Sequence, residues 1–165
     1  GSFALNAAKG GAQSVHAVDV SESAVRMAEE NIRLNGFSDR ITCQAADVFD
    51  LLPALAEAGN PGYDFIILDP PAFTKSRQTM HNAYRGYKEI NYRAMKLLPR
   101  GGYLATCSCS HFMPDSQFVK MLREAAFDAA VSLRQIEARQ QSPDHPILWN
   151  VPETNYLKFY LFQVV

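Results

Sequence analysis

The sequence lacks the features that define several classes of protein. No apolar run approaches the roughly 18 residues of a membrane-spanning helix, and no signal peptide is visible near the N-terminus. The three cysteines, Cys43, Cys107 and Cys109, are odd in number and have no framework spacing, which argues against a disulfide scaffold. The Cys107-x-Cys109 pair has no second Cys or His pair to complete a zinc site. We therefore expect a cytoplasmic protein without a membrane span and without a metal.

The composition is that of an ordinary globular domain, but the charge is distributed unevenly. Of the 165 residues, 47% are hydrophobic and 20% are charged, and the net charge is −1. Residues 1–74 carry ten acidic and four basic side chains, whereas residues 75–100 carry seven basic and one acidic. A basic block in a nearly neutral chain favours contact with a polyanion, and the alternative is a solvated helix face. Its members are Lys75, Arg77, Arg85, Lys88, Arg93, Lys96 and Arg100.

Strand and helix patterns alternate along the chain. Apolar runs predict strands over residues 15–20, 41–45, 65–68, 103–107, 133–138 and 156–164. Helical patterns lie over residues 2–9, 22–35, 48–58, 79–98 and 114–130, with a break expected near Gly86 and a cap expected at Ser21. This alternation predicts a doubly wound, mostly parallel α/β sheet. The continuous apolar run at residues 65–68 predicts a strand that is covered on both faces.

The N-terminal residues match the middle of a nucleotide-binding unit. An α/β domain of that kind begins with a strand, a glycine turn and a helix, and this sequence starts at the turn with Gly1-Ser2. We therefore expect the first, central strand to lie upstream of Gly1. Residues 1–165 would then be one N-terminally truncated domain of a longer protein, which we call the parent protein.

Two aspartates are predicted at the ends of neighbouring strands. Asp19 comes 18 residues after Gly1, close to the spacing at which an acid binds ribose hydroxyls in dinucleotide and nucleoside sites. Asp47 ends the next strand and is placed to meet the adenine end of the same ligand. The alternatives are a plain loop residue for Asp19 and a helix N-cap for Asp47, and the cap is compatible with binding.

A carboxylate and a thiol are predicted at two further strand ends. Asp69 is followed by Pro70 and Pro71, which fix the backbone at the strand exit, and Phe73 could stack on a base. Cys107 ends an apolar strand and is a candidate nucleophile if its pKa is lowered, the alternative being a small core residue. Cys109 is the rival nucleophile.

Four motifs occur in a recognisable order. They are VDVS at Asp19, AADVFD at Asp47, LDPPAF at Asp69 and TCSCSH at Cys107. Together they resemble the class I S-adenosylmethionine-dependent methyltransferases. More closely, the chain is similar to the bacterial family that methylates carbon 5 of a cytosine in large-subunit (23S) ribosomal RNA. The likeness covers residues 1–165, including PDHPILWNVPETNYLKFYL near the end.

The resemblance implies a Rossmann-like fold, the cofactor S-adenosylmethionine, ribosomal RNA as partner and a role for each motif residue. Gly1 would belong to the glycine loop, Asp19 would hold the ribose and Asp47 the adenine amine. Asp69 would bind the cytosine edge and Cys107 would attack carbon 6. The candidate cofactor-binding set is Gly1, Asp19, Ser21, Asp47, Val48 and Asp69. The candidate substrate-binding set is Pro70, Pro71, Phe73, Lys75, Arg77 and Arg85, and the catalytic pair is Cys107 and Asp69. A small N-terminal RNA-binding domain would also precede this chain in the parent protein.

The residue types suit that chemistry. Carbon 5 of cytosine is a poor nucleophile, and addition of a thiolate at carbon 6 makes it enamine-like. Asp69, if protonated or hydrogen-bonded to the ring, would stabilise charge during the addition, and a base would then remove the carbon-5 proton. The target base must first be unstacked, and the basic block would hold the flanking phosphates.

Other functions remain open from the sequence. An amino-group methyltransferase acting on adenine or guanine would use Asp69 to orient an exocyclic amine and would need no cysteine. A non-catalytic RNA-binding module would retain the fold alone. A dehydrogenase is disfavoured, because it offers no role for the Asp69 and Cys107 motifs. A homodimer is also open.

Overall fold

The computed structural model describes residues 1–59, 62–73 and 80–165, which divide into two compact units, Gly1–Leu51 and Leu52–Val165. The predicted substrate-binding residues Lys75 and Arg77 lie outside the described residues. Among the described residues, no helix is long and apolar enough to cross a membrane.

The first unit is built from two parallel strands and the helices before and between them. Its elements are α1 (Ser2–Lys9), β1 (Val15–Asp19), α2 (Glu22–Leu34) and β2 (Ile41–Ala45). The two strands pair in register from Val15↔Ile41 to Asp19↔Ala45. Ala4, Ala8, Ile32 and Ile41 form the buried core between them. Because the strands are parallel, they end at one common edge of this small sheet.

Local sequence signals fix the two ends of α2. The Ser21 hydroxyl accepts a hydrogen bond from the backbone N–H of Ala24 at 3.3 Å, which confirms the predicted cap. Gly36 follows the helix with a φ of 73°, a left-handed conformation that favours glycine. Ala28 and Ile32, which are four residues apart and so lie on one face of the helix, are buried.

The second unit contains a four-stranded sheet. Helix α3 (Val48–Glu57) spans the boundary between the units. The remaining elements are β3 (Phe65–Leu68), α4 (Met80–Leu97), β4 (Tyr103–Ser108), α5 (Asp115–Asp128), β5 (Leu133–Arg139), a 3-10 turn (Pro152–Thr154) and β6 (Lys158–Val164). The strand order is β3-β4-β6-β5, with β3 and β4 parallel and β6 antiparallel to both of its neighbours.

Strand β4 is the centre of this unit. All of its residues from Leu104 to Ser108 are buried. Helices α4 and α5 contribute the largest buried side chains, among them Tyr87, Phe118 and Met121. The antiparallel return of β6 places Lys158, its first residue, opposite Ser108 near the carboxyl end of β4. The sheet therefore brings the end of β4 and the start of β6 to one edge.

Two local predictions were wrong. Strand β3 is not covered on both faces, because Phe65 is 46% exposed and Ile67 is 37% exposed. In the described residues β3 pairs only with β4, so it lies at an edge of the four-stranded sheet. The Phe65 ring stacks on the Tyr103 ring, with 6.0 Å between the two centroids. Helix α4 runs through Gly86 without a break, since the buried residues Ala83, Tyr87 and Ile90 hold both halves against the core.

Candidate functional site

The first candidate region is the edge where β1 and β2 end, which we call the acidic edge (Asp19, Ser21, Asp47 and Val48). Asp19 is exposed at the last position of β1. Its Oδ1 accepts a hydrogen bond from the Ser21 N–H at 2.8 Å, and its backbone oxygen accepts one from Ala46 at 3.1 Å. These bonds fix the strand exit. Oδ2 has no hydrogen-bond partner among the described residues, so the carboxylate keeps an oxygen for a ligand.

Asp47 lies two residues beyond β2 and begins helix α3. Its Oδ1 accepts a hydrogen bond from the N–H of Phe49 at 2.8 Å, and its backbone oxygen accepts one from Leu51 at 2.9 Å. The residue is exposed, and Val48 beside it is half-buried. Asp47 therefore has the capping role that the sequence left open, and its exposure leaves ligand binding open as well.

The other two predicted cofactor residues of this unit have structural contacts. Ser21 caps α2, and its hydroxyl also lies 2.9 Å from the hydroxyl of Ser23. Gly1 packs so closely on α2 that an added Cβ would lie 3.0 Å from Cβ of Ala28. A side chain at this position would therefore be tight against α2, and Ala28 would have to shift slightly to accommodate it.

The second candidate region is the edge where β3 and β4 end, which we call the thiol edge (Asp69, Cys107, Cys109 and Lys158). In the parallel register Leu68 pairs with Thr106, so Asp69 follows β3 at the level of Cys107. The structure thus brings together the carboxyl and thiol groups that the sequence singled out. Pro70 is half-buried and Pro71 is exposed directly after them.

The environment of this edge favours the uncharged forms of both groups. Cys107 is only 5% exposed, and burial, together with the negative charges of Asp69 and Cys109, raises its pKa to about 12. Asp69 is exposed as a residue, but partial desolvation of its carboxyl group raises the pKa of Asp69 above its ordinary value. From the sequence, Cys107 is a candidate nucleophile on the condition that its pKa is lowered. In this structure the pKa of Cys107 is raised, so that condition is not met.

The strand boundary also changes the comparison between the two thiols. Strand β4 continues to Ser108, so Cys107 lies within it, and Cys109 is the first residue beyond it. Cys109 is half-buried and Cys107 is buried. Cys109 is consequently the more accessible of the two.

A buried tyrosine organises the backbone around this edge. Tyr87 of α4 is fully buried, and its hydroxyl accepts hydrogen bonds from the Ser108 hydroxyl at 3.1 Å and from the Phe73 N–H. Its ring packs on Phe73 at 4.7 Å between centroids. Phe73 is thus anchored to the core, and its predicted stacking on a base stays a prediction. Tyr87 connects the segment after β3 with the end of β4.

The sequence reasoning missed Lys158. This lysine is 8% exposed, and its Nζ donates hydrogen bonds to the backbone oxygens of Ser110 at 2.6 Å and Tyr156 at 2.7 Å. Burial lowers the pKa of Lys158 to about 8, although the negative charges of Cys109 and Asp115 oppose this. The available signal was that Lys158 is the one charged residue within the last predicted strand, residues 156–164.

Two residues of the basic block are neutralised by ion pairs, so the block carries less free positive charge than its sequence suggests. Lys88 pairs with Asp128 at 2.8 Å and with Glu124 at 3.7 Å, and Arg93 pairs with Glu89 at 2.8 Å. Arg85, Lys96 and Arg100 are exposed and form no ion pair with any described residue. Among the block's described residues, these three side chains remain available to a polyanion. In the part of the chain that the structure describes, no group of three or more His, Cys, Asp or Glu side chains could hold a metal ion.

Comparison with known proteins identifies the family. The sequence profile of the S-adenosylmethionine-dependent methyltransferases matches residues 1–163. The chain belongs to this family. S-adenosylmethionine is therefore its cofactor.

Curated relatives of this methyltransferase have a more specific name. The chain is 45% identical over 159 residues to the ribosomal RNA large subunit methyltransferase I of Shewanella amazonensis, covering 96% of this chain and 40% of that protein. It is 40% identical over 166 residues to the protein of the same name from Erwinia tasmaniensis, covering 100% and 42%. The chain thus spans about two fifths of the length of these relatives.

Solved structures confirm the fold of the methyltransferase. SMU.776, described as a methyltransferase and crystallised with S-adenosylhomocysteine, has a TM-score of 0.83 at 22% identity, over 98% of this chain and 42% of that one. TrmN from Thermus thermophilus has a TM-score of 0.68 at 21% identity, over 100% and 41%. The predicted Rossmann-like methyltransferase fold is confirmed, with parallel pairs in both units and an antiparallel return at β6.

Proposed function

We propose that the parent protein methylates carbon 5 of a cytosine in large-subunit (23S) ribosomal RNA in the cytoplasm, through a cysteine adduct at carbon 6. The names of its 40–45% identical relatives support the RNA substrate. The observation that carries the chemistry is the thiol edge, where the register of β3 and β4 sets Asp69 level with Cys107.

The acidic edge fits the nucleoside part of S-adenosylmethionine. Asp19 and Asp47 each use one carboxylate oxygen for a backbone N–H and keep the other without a hydrogen bond among the described residues. Both are exposed after parallel neighbouring strands, where ligands of open α/β sheets bind. We assign Asp19 to the ribose hydroxyls and Asp47 to the adenine amine, with Val48 against the ring. When bound, the cofactor supplies an electrophilic methyl group.

Asp69 is suited to recognise the cytosine. Desolvation raises its pKa and so favours the protonated carboxyl group, which donates a hydrogen bond to a ring nitrogen. Such a bond withdraws electron density from the ring and makes carbon 6 more electrophilic. Pro70 and Pro71 hold the strand exit that carries this group.

Cys107 is assigned the addition to carbon 6. With a pKa of about 12 its sulfur carries a proton at neutral pH, so the thiol must release that proton to water when the substrate binds. Protonation of Asp69 would contribute, because it removes one of the negative charges that raise the pKa of Cys107. The unpaired basic side chains Arg85, Lys96 and Arg100 would hold flanking phosphates once the cytosine is unstacked.

Trapping of the covalent intermediate tests this function. RNA with fluorine at carbon 5 of the target cytosine cannot release a proton there, so the parent protein should form a denaturation-resistant adduct through Cys107. Cys107→Ser should abolish both the adduct and methylation while cofactor binding remains. Cys109→Ser is the matched control and should retain substantial activity. An adduct on Cys109 would make Cys109 the nucleophile in place of Cys107, and the mechanism would otherwise be unchanged.

The burial of the Cys107 thiol supports amino-group methylation as a second candidate. That reaction needs Asp69 to orient an amine, and it needs no thiolate. It becomes the better proposal if Cys107→Ala still methylates RNA and no adduct forms. A protein that binds RNA but transfers no labelled methyl group would instead be a binding module.

A further inference from the structure

We infer that Lys158 is the base that removes the carbon-5 proton of the cytosine. This inference rests on the proposed function, which requires such a base but leaves it unassigned. The geometry that supports it is the position of Lys158 at the thiol edge and the pattern of its hydrogen bonds.

The topology brings Lys158 to the thiol edge. Because β6 runs antiparallel to β4, its first residue lies where β4 ends, and Lys158 pairs with Ser108 between the two cysteines. A negative charge on Cys109 would raise the pKa of Lys158, so the two side chains are electrostatic neighbours. No other lysine or arginine among the described residues is buried.

The hydrogen bonds of Lys158 suit a neutral amine. Nζ donates to two backbone carbonyl oxygens, of Ser110 and Tyr156, at 2.6 and 2.7 Å. It forms no ion pair with a carboxylate among the described residues. A neutral amine has two N–H bonds for these two acceptors and keeps one lone pair to accept a proton. A buried ammonium would instead carry a third N–H and a full charge without a counter-ion, which is costly.

The protonation equilibrium is compatible with this role. A pKa of about 8 keeps most of Lys158 protonated at pH 7 and leaves about a tenth of it as the neutral amine. This pKa lies in the range in which a general base is efficient. The charged or titratable groups that act on it are Cys109, beyond β4, and Asp115, at the start of α5. Both favour the protonated product of the proton transfer.

The proposed step is balanced in atoms and electrons. After addition and methylation, carbon 5 carries a methyl group and a hydrogen, and carbon 6 carries the cysteine sulfur. The Lys158 amine takes the carbon-5 proton, and the C–H electron pair forms the double bond between carbons 5 and 6. The C–S bond breaks with its electron pair on sulfur, and the lysine ammonium later returns its proton to water.

Tritium release from RNA labelled at carbon 5 of the target cytosine tests the inference. The same base should exchange the carbon-5 hydrogen with water during reversible thiol addition, even without cofactor. Lys158→Arg keeps the charge and the donors but remains protonated, and it should reduce cofactor-free exchange at least tenfold. Lys158→Met should do the same. Lys120→Arg, at an exposed lysine of α5, is the matched control and should match the wild type.

Adduct formation with the fluorinated RNA separates the outcomes. If both Lys158 variants still form the adduct but lose exchange, Lys158 is the base. If Lys158→Arg exchanges tritium at the wild-type rate, or if both variants lose the adduct too, the inference is wrong and Lys158 is a charge or a structural support. If the wild type methylates RNA without any adduct, the proposed function and this inference both fail. Thermal unfolding of each variant shows whether it is folded. If Lys158→Met is misfolded, Lys158→Arg alone provides the test.

Discussion

At the scale of single residues, the thiol edge combines groups that are ordinary in isolation. A buried cysteine is usually a small core residue, and Cys107 is packed as one. Two features distinguish Cys107 from such a residue. It lies beside Asp69 in the register of β3 and β4, and the negative charge of Asp69 raises its pKa. The thiol therefore stays protonated in the absence of substrate. Because the thiolate is the reactive form of cysteine, this protonated state protects Cys107 from oxidation and alkylation between reactions.

The protonated state of Cys107 makes stability depend on pH. Its pKa rises from 9.0 in the unfolded chain to about 12 in the folded protein, so its contribution is complete below pH 9 and is lost as the pH rises towards 12. At about pH 10.5 the free energy of unfolding of the parent protein should therefore fall by about 2 kcal/mol through this group. In Cys107→Ala this loss should be absent.

Urea unfolding of the wild type and Cys107→Ala at about pH 8 and about pH 10.5 measures the difference. Tyr84 and Tyr160, whose pKa values are also raised, are common to both proteins and cancel. Cys43→Ala is the thiol control, and because Cys43 is only half-buried, its change should be smaller. A stability difference between wild type and Cys107→Ala that stays constant with pH would contradict the assignment.

At the scale of elements, helix α4 shows how tertiary contacts alter a charge pattern. Along the sequence its bases form one block with a single acid. In the fold, Asp128 and Glu124 of α5 neutralise Lys88, and Glu89 neutralises Arg93 one turn away. The partners of Lys88 are far away in sequence, so only the packing of α4 on α5 reveals the pairing.

This division of α4 predicts unequal effects on RNA binding. Arg85→Gln and Lys96→Gln should each reduce the slope of log affinity against log salt by about 0.7–0.9, the value of one lost phosphate contact. Lys88→Gln should leave the slope unchanged, because its charge is already compensated. Fluorescence anisotropy of the parent protein with a ribosomal RNA fragment over a range of salt measures these slopes. If Arg85→Gln and Lys96→Gln also leave the slope unchanged, α4 is a solvated face.

At the scale of the whole molecule, the sequence predicted the features that depend on residues close together in the chain. The limits of β2 and β3, the Ser21 cap and the level of Asp69 with Cys107 all follow from local patterns and parallel strand geometry. The role of Lys158 did not follow, because it depends on the antiparallel return of β6. The burial that raises the pKa of Cys107 likewise depends on helices packed on β4. Lys75 and Arg77 lie outside the described residues, and their roles in substrate binding stay predictions.

The two compact units predict separable effects on the cofactor and on catalysis. Asp19→Ala removes a charged hydrogen-bond acceptor at the acidic edge, a loss worth about 1.5–3 kcal/mol, and should weaken binding of S-adenosylmethionine to the parent protein about tenfold or more. Asp19→Asn keeps the acceptor for the Ser21 N–H and should fall between the wild type and Asp19→Ala. Asp39→Ala, at an exposed aspartate of the same unit, is the matched control and should bind normally. Cys107→Ser, in the second unit, should also bind normally while losing methylation. Calorimetric titration gives Kd for the wild type and the four variants, and unchanged affinity in Asp19→Ala would remove Asp19 from the cofactor site.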